Sequence, residues 1–580
     1  MRTLVVALVL AAAVVAVTPR RAEAACGCSA NPGTITADAT GACLTYTSPA
    51  GTAYDITYRF DTAYACGHYA TGEYFVVVGS GGHAVVTAIS PPIGTGTNGV
   101  AVNPSGADSQ PWDMRAGDYA APTIKFPYTG AAGESIVKYV SKPSCNGASK
   151  SCGQSAAVLT LVSAAPAIPV RAFRPPYVGT YKPTFGVDQL QLSLLARLDG
   201  GCCRDKLTRA EAEAQTRYLR LNYTQSSITN DLTPPDDGTS GWPWSTDLWS
   251  ADTNMVAWLN LADVCDSPPC TAEQDQQAKL QTVIGFVQAG IDTWAGDKMG
   301  TSFERGGGGN GGGLLLWYVF AATLLDAPEM RADLAAVKEG HFFETESYYR
   351  GTGVNGGRGP ALWGQLAQGS ERDYWDNLGQ DPAAQLYRTI RDPYGFIDGG
   401  GVPGTSYQEN TSKPTAYTAL FLELMPALGR NWPVNADVIV EYGHRWMTHL
   451  AYATPDPCAP KAGTYGVNYG PDGTGGCIKG AGRLPQTHGT SDGISDRAQA
   501  FGEQMWTAFQ ACAASCSCPG QVCAAPPVLA DDYYPGTEND GDGGGCGCRA
   551  AGPGTSSLPT AVVLGLALAV VVRRRREPQA

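Results

Sequence analysis

The stretch AAPAIPVRAFRPPYVGTYKP, residues 164–183, divides the sequence into two parts with different periodicities. It is rich in proline, which fixes φ and lacks an N–H donor, so it interrupts both strands and helices. We therefore predict a linker at residues 166–180, with one domain on each side.

Upstream of the linker, short β-branched and aromatic runs alternate with glycine, proline and asparagine clusters. The runs are CLTYTS, AYDITYRF, EYFVVVG, HAVVTAI, SIVKYVS and AVLTLVS. Short strands at this spacing are typical of two packed antiparallel sheets. The sequence predicts a β-sandwich-like domain at residues 26–165.

Downstream of the linker, the pattern changes to that of helices. The segments LLLWYVFAATLL and YTALFLELMPAL are apolar on nearly all sides, which is typical of buried helices. Helix starts are indicated by capping boxes and by prolines in a first turn, at Thr208 with Glu211, Thr271 with Gln274, Pro382 and Pro414. We predict an all-α (α/α) toroid or barrel at residues 181–525, with a plain helical array as the alternative. The fold class is therefore α+β.

The N-terminus has the features of a secretory signal peptide. One early arginine precedes an apolar run, and the small residues Ala22 and Ala24 precede the expected cleavage site. We assign residues 1–25 to this peptide. Lipoprotein processing at Cys26 is the alternative, but Glu23 fits that signal poorly.

The C-terminus combines a glycine-rich spacer at residues 526–557, which contains GGGCGC, with a short apolar run and four arginines at residues 558–576. This order resembles the sorting tag of myxobacterial surface proteins. The resemblance implies a processing protease that acts near Cys546 and a lipid or membrane anchor at the cell surface. A single-pass anchor is the alternative, since arginines after an apolar run hold it from the cytoplasmic side.

Cysteine usage favours disulfide bonds. Apart from the two cysteines of the tag the number is even, and export favours oxidation. Near neighbours suggest pairs, namely Cys145 with Cys152, Cys265 with Cys270, Cys458 with Cys477, and pairing within the set Cys512, Cys516, Cys518 and Cys523. The adjacent Cys202 and Cys203 have no assigned partner.

Charge limits the class of ligand. The chain has a net charge of −13, and removal of the arginine-rich ends makes it more acidic. Nucleic-acid binding is therefore disfavoured, because it needs clustered lysine and arginine. A neutral polysaccharide is a more natural ligand than an anionic one, although a local basic cleft could override the global sign. No cofactor and no metal site are predicted.

Three segments of the body carry a second resemblance: FRPPYVGTYKP, GGGGNGGGLLLWYVFAATLLDAPEM and FETESYY. They are similar to segments of a group of secreted bacterial proteins of unclear activity. The order of a small exported β-domain and a helical toroid resembles that of bacterial carbohydrate-active enzymes. This implies a glycoside hydrolase or a polysaccharide lyase that acts on an extracellular glycan. No catalytic residue is carried over from the resemblance.

Candidate acids come from HFFETESYYR, residues 341–350. Its aromatic residues and threonine predict an extended segment, in which the period of two places Glu344 and Glu346 on one face. Paired catalytic carboxylates of glycosidases flank the scissile bond from different elements, so a second contributor is needed. Asp398 and Glu409, both in predicted loops, are the candidates. A solvated acidic edge is the alternative interpretation.

A lyase would use a different set of residues. Tyr407, or His341 with it, would abstract and return the proton. The substrate carboxylate would be neutralised by Gln408, Asn410 or Arg358.

Tryptophans in polar segments predict sugar binding, since a flat aromatic face suits the apolar face of a pyranose ring. The candidates are Trp242, Trp244 and Trp249 in one predicted loop, and Trp363 and Trp375 in another. The sequence thus favours a surface-anchored glycoside hydrolase. The alternatives are a polysaccharide lyase and a non-catalytic glycan-binding or envelope-interaction protein.

Overall fold

The computed structural model describes residues 26–105, 109–144, 152–221, 245–301, 303, 311–350, 361–364, 406–449 and 496–523. Within helices, only the backbone is described at residues 245–248, 406–410, 448–449 and 496–499. All of these residues belong to one compact unit, Met1–Tyr533.

Eleven strands make up the N-terminal part of the described chain. They are β1 (Gly33–Thr34), β2 (Ala37–Asp38), β3 (Gly41–Tyr46), β4 (Ile56–Phe60), β5 (Ala65–His68), β6 (Tyr74–Val77), β7 (His83–Ser90), β8 (Val100–Val102), β9 (Tyr128–Ala131), β10 (Ser135–Ser141) and β11 (Gly153–Val162). One sheet has the order β1-β5-β6-β11-β10-β8, and the other has the order β2-β3-β4-β7-β9. Strands β6 and β11 run parallel, while the other described pairs of the two sheets are antiparallel.

The two sheets share one apolar core, to which Leu44 on β3 and Leu159 on β11 both contribute. Burial alternates along β4, as the pleat requires for a sheet with one buried face. Strands β10 and β11 are instead buried along most of their length. The reason is that the face of these two strands turned away from the first core is also covered. Val137 and Val158 on that face share an apolar cluster with Ala295 of the helical part.

The segment predicted as a linker is packed into the protein at residues 173–178, all of which are buried. Phe173 belongs to the core of the helical part, while Tyr177 and Val178 belong to the cluster beneath β10 and β11. This segment therefore joins the two parts of the chain through side-chain packing as well as through the backbone.

The second half of the described chain is helical. Its helices are α1 (Arg209–Gln215), α2 (Ser245–Leu259), α3 (Ala272–Lys298), α4 (Leu314–Leu324), α5 (Pro328–Ala335), α6 (Phe343–Ser347), α7 (Ser406–Leu424), α8 (Pro426–Asn431), α9 (Ala436–His449) and α10 (Asp496–Ala513). A hairpin of β12 (Tyr348–Arg350) and β13 (Ala361–Trp363) follows α6. The prediction of a β-rich part followed by a helical part, and hence of an α+β fold, is confirmed.

Local signals identify several of these helices correctly. Every residue of α4 is buried, as its uniformly apolar sequence predicts. The capping boxes at Thr208 and Thr271 stand at the starts of α1 and α3, where each threonine side chain accepts a backbone N–H three residues later.

The predicted helix start at Pro414 is wrong, because α7 begins at Ser406 and contains this proline. An interior proline removes one backbone hydrogen bond. Nearby hydroxyls bond to the helix carbonyls, with Thr415 donating to the Thr411 oxygen at 2.7 Å and Thr418 donating to the Pro414 oxygen at 2.8 Å. Pro382 lies outside the described residues.

Disulfide bonds link the cysteines of the described chain as export predicts. The pairs are Cys26–Cys43, Cys28–Cys66, Cys202–Cys203, Cys265–Cys270, Cys512–Cys518 and Cys516–Cys523. Two predictions are thus met, the pair of Cys265 with Cys270 and pairing within the set from Cys512 to Cys523. Cys145, Cys458 and Cys477 lie outside the described residues.

Candidate functional site

The segment proposed to carry the catalytic acids is helical instead of extended over α6. Thr345 favours this turn, because its hydroxyl accepts the Phe342 N–H at 3.0 Å. The prediction that Glu344 and Glu346 lie on one face of a strand is therefore wrong. Glu344 is fully buried and Glu346 is partly exposed, so the two carboxylates do not share one solvent-facing surface.

Glu344 lies against the start of α4. Its Oε1 accepts the N–H of Gly313, the residue that caps this helix, at 2.6 Å. Burial raises the pKa of Glu344 to about 8, although the backbone N–H groups of Glu344, Gly313 and Leu315 partly offset the rise. In the described part of the chain, its Oε2 has no hydrogen-bond partner. Burial thus favours the neutral form of this carboxyl.

The described tryptophans of the predicted sugar-binding loops belong to the core. Trp249 lies within α2, where its indole N–H donates to the Thr418 hydroxyl at 3.1 Å. Trp363 lies on β13 and donates to the Thr411 hydroxyl at 3.1 Å. Both side chains are buried, so the prediction that they face a sugar is wrong. Trp242, Trp244 and Trp375 lie outside the described residues.

The remaining predicted residues are only partly described. The backbone of residues 407–410, which include Tyr407, Gln408, Glu409 and Asn410, forms the first turns of α7, so their assignment to a loop is wrong. His341 is partly exposed, and its ring bonds to the Asp297 carboxylate. Arg358, Asp398 and Cys546 lie outside the described residues.

A cleft of about 420 Å³ lies between the β-rich part and the helical part, and we call it the junction cleft. It is lined by Thr45, Tyr46, Thr47, Pro49, Thr71, Gly72, Glu73, Tyr74, Arg174, Thr216, Arg217, Tyr218, Leu219, Arg220, Gln281, Gly285, Gln288, Ala289 and Asp292. None of these described lining residues is among those predicted as a site from the sequence.

The base of the junction cleft is a buried ion cluster. Arg174 Nη2 donates to Asp292 Oδ2 at 2.6 Å, and Arg174 Nε donates to Glu73 Oε2 at 2.5 Å. Burial raises the pKa of Asp292 to about 6, and the neighbouring Arg174 opposes this rise. The two carboxylates raise the pKa of Arg174, so its guanidinium stays charged. The cluster joins the segment after β5, the segment that was predicted as a linker, and α3.

The mouth of the junction cleft is aromatic and polar. Tyr46, Tyr74 and Tyr218 are each partly exposed there. Burial raises the pKa of the Tyr46 and Tyr74 hydroxyls, which therefore stay protonated and can donate hydrogen bonds. Gln288 donates from Nε2 to the Arg174 carbonyl at 3.1 Å, and its Oε1 has no hydrogen-bond partner in the described chain.

One wall of the junction cleft is the segment after α1, which carries Arg217, Tyr218 and Arg220. It packs tightly on α3 at Gly285, where an added Cβ would lie 2.5 Å from the backbone oxygen of Thr216. Glycine therefore permits an approach that any larger residue would prevent.

Arg220 reaches from the junction cleft towards a second buried acid. Its guanidinium carbon lies 5.1 Å from the centre of the Trp317 ring, and its Nη2 lies 3.9 Å from Asp252 Oδ1. Burial raises the pKa of Asp252 to about 7, against the effect of Arg220. Within the described residues, neither Asp252 oxygen has a hydrogen-bond partner. Burial therefore favours the neutral form of this carboxyl.

Comparison with known proteins finds no matching family, no matching curated protein and no matching solved structure. Among the helices of the described chain, none has the length and apolar character needed to span a bilayer.

Proposed function

We propose that this protein binds a saccharide unit of an extracellular glycan in the junction cleft. The observation that carries the proposal is the lining, which combines three tyrosines with threonine, glutamine and arginine side chains in one concave space. Pyranose rings have apolar faces and hydroxyl edges, so their recognition needs both kinds of group. A volume of about 420 Å³ lies within the usual range for small-ligand sites.

Rigidity supports the same proposal. Arg174, Glu73 and Asp292 hold three distant segments in one geometry at the base of the junction cleft. A binding site whose polar groups are already fixed loses less conformational entropy when the ligand arrives. The disulfides and the export signal are consistent with an extracellular glycan as ligand.

The test is a panel of purified oligosaccharides added to the secreted protein, with binding followed by calorimetry. We expect at least one saccharide class to bind, and we expect substitution of a tyrosine of the junction cleft to weaken it. Failure of every oligosaccharide to bind would contradict the proposal.

Hydrolysis of a glycan is a second candidate function, and the raised pKa of the Glu344 carboxyl is the observation that favours it. A general acid must hold its proton at the working pH, and a pKa of about 8 meets this condition, whereas the side chain is fully buried and does not line the junction cleft. The competing interpretation is a purely structural one, in which Glu344 only satisfies the first N–H groups of α4. A lyase reaction that uses Tyr407 remains a prediction from the sequence.

Two further proposals concern the frame of the protein. We propose that the helices close into an α/α toroid, supported by the complete burial of α4 and by its packing against α3. We also propose that a protease cleaves the chain near Cys546 and leaves it anchored at the cell surface, supported by the Gly-Cys signature and the arginine block. An intact mass that still includes residues 573–580 would contradict the processing.

A further inference from the structure

The charge of the junction cleft differs in sign from that of the whole chain. The described lining residues include three arginines but only two acidic residues, Glu73 and Asp292. The chain as a whole has a net charge of −13. The local excess of positive charge lies on the wall after α1, at Arg217 and Arg220.

Arg174 does not supply this excess, since its donors are already used. Its Nε bonds to Glu73, and its two terminal nitrogens bond to Asp292 and to the Pro175 carbonyl. With two carboxylates around one guanidinium, the cluster at the base is negative overall. The cluster at the base therefore does not attract an anionic ligand.

Arg217 and Arg220 are different, because their described contacts leave donors for a ligand. Arg217 is 53% exposed on its side chain, and Glu213 lies 3.4 Å away while also bonding to Arg209 at 2.8 Å. Arg220 donates from Nη2 to the Gln215 carbonyl at 3.1 Å, and Asp252 is as far as 3.9 Å away. Each guanidinium carries five N–H donors, so most of them remain for a ligand.

The two arginines flank Tyr218 on one short segment. All three residues line the junction cleft, so this wall offers an aromatic ring for a sugar and guanidinium donors for an acidic substituent on it. The Trp317 ring and Asp252 hold Arg220 from the side away from the solvent. This arrangement limits the motion of the Arg220 side chain before a ligand binds.

We propose that the saccharide bound in the junction cleft is acidic and that Arg217 and Arg220 hold its anionic group. This inference rests on the proposed function and narrows its ligand class. The group is a monoanion, either the carboxylate of a uronic acid or a sulfate ester, because both present oxygens that a guanidinium can bind. The global negative charge, which favours a neutral glycan, is overridden here by local charge.

The experiment compares four oligosaccharides of similar length by calorimetry, namely an oligogalacturonate, its methyl ester, a neutral oligogalactose and a sulfated oligogalactose. We expect the acidic ligands to bind about tenfold or more tightly than their uncharged counterparts, as lost charge-assisted hydrogen bonds predict. The affinity should also fall as salt rises. The relative affinities of the uronate and the sulfate ester identify the anionic group.

Three variants complete the test. Arg217→Gln and Arg220→Gln should each weaken binding of the acidic ligand more than binding of its methyl ester, and so reduce the preference between the two. Arg204→Gln removes the same charge from an 87% exposed side chain outside the junction cleft, and it should change nothing. Arg220→Gln also removes the cation beside the buried Asp252, so it could destabilise the fold. In that case the preference for the acidic ligand is measured on Arg217→Gln, whose side chain is exposed.

The outcomes separate the two proposals. If uncharged oligosaccharides bind as tightly as acidic ones, or if both arginine variants keep the preference, the inference is overturned while the proposed function stands. If none of the oligosaccharides binds, the proposed function itself is contradicted.

Discussion

Arg174 and Asp292 are joined by two hydrogen bonds, Nη1 to Oδ1 at 3.1 Å and Nη2 to Oδ2 at 2.6 Å, although 118 residues separate them in sequence. Arg174 also binds Glu73, 101 residues earlier. The base of the junction cleft is therefore made by residues that only the folded chain brings together. Both the stability of this junction and the shape of the cleft depend on that cluster.

Removal of Arg174 should destabilise the protein strongly. Arg174→Met leaves Glu73 and Asp292 buried without their cation, which typically costs about 3–5 kcal/mol of unfolding free energy. Denaturant unfolding with disulfides intact measures the change. Arg204→Gln is the control, and its unfolding midpoint should equal that of the wild type. A wild-type midpoint for Arg174→Met would show that the cluster does not hold the junction together.

Glu344 should make stability depend on pH. Its pKa is about 8 in the folded protein, against an ordinary value of 4.5, so the folded state holds a proton that the unfolded state releases between these values. This contribution is fully present below pH 4.5 and is lost as pH rises through 8, on the order of a few kcal/mol in all. Glu344→Gln keeps an acceptor for the Gly313 N–H and should lose less stability than the wild type between pH 5 and pH 8. Parallel stability profiles for the two proteins would contradict this.

If the protein hydrolyses its glycan, Glu344→Gln should lower turnover by roughly 10²- to 10⁴-fold, the usual worth of a positioned proton donor. The assay counts new reducing ends and, separately, ultraviolet-absorbing unsaturated ends. Glu346→Gln removes the other carboxyl of α6 and is the matched control, which should retain turnover if Glu344 is the proton donor. Retained turnover in Glu344→Gln with loss in Tyr407→Phe would replace hydrolysis by elimination.

The described cysteines should be oxidised in the protein if it is exported as the sequence predicts. Twelve of them form the six pairs of the described chain. Thiol counting on denatured, unreduced protein should therefore find few free thiols. A majority of reactive thiols would contradict the pairing.

Local signals in the sequence predict local structure well. The capping boxes at Thr208 and Thr271 mark true helix starts, since each depends on residues three apart. The uniformly apolar α4 is buried for an equally direct reason. Such features need no knowledge of the rest of the chain.

The errors arise where tertiary packing decides. The aromatic residues and threonine of residues 341–350 suggested an extended segment, but the chain forms a helical turn at α6, which the Thr345 hydroxyl supports. Trp249 lies in a polar sequence, yet its indole packs in the core and bonds to Thr418 on another helix. The junction cleft could not be predicted from any local pattern, because its residues come from five distant segments.

One calorimetric comparison tests whether the junction cleft binds a saccharide. The tightest oligosaccharide of the panel is titrated into the wild type, into Tyr218→Ala and into Tyr181→Ala, a control at a 42% exposed tyrosine outside the junction cleft. We expect Tyr218→Ala to bind the oligosaccharide roughly tenfold more weakly, because one aromatic contact is lost. We expect Tyr181→Ala to bind it as tightly as the wild type. Equal affinity of Tyr218→Ala and the wild type would contradict saccharide binding in the junction cleft.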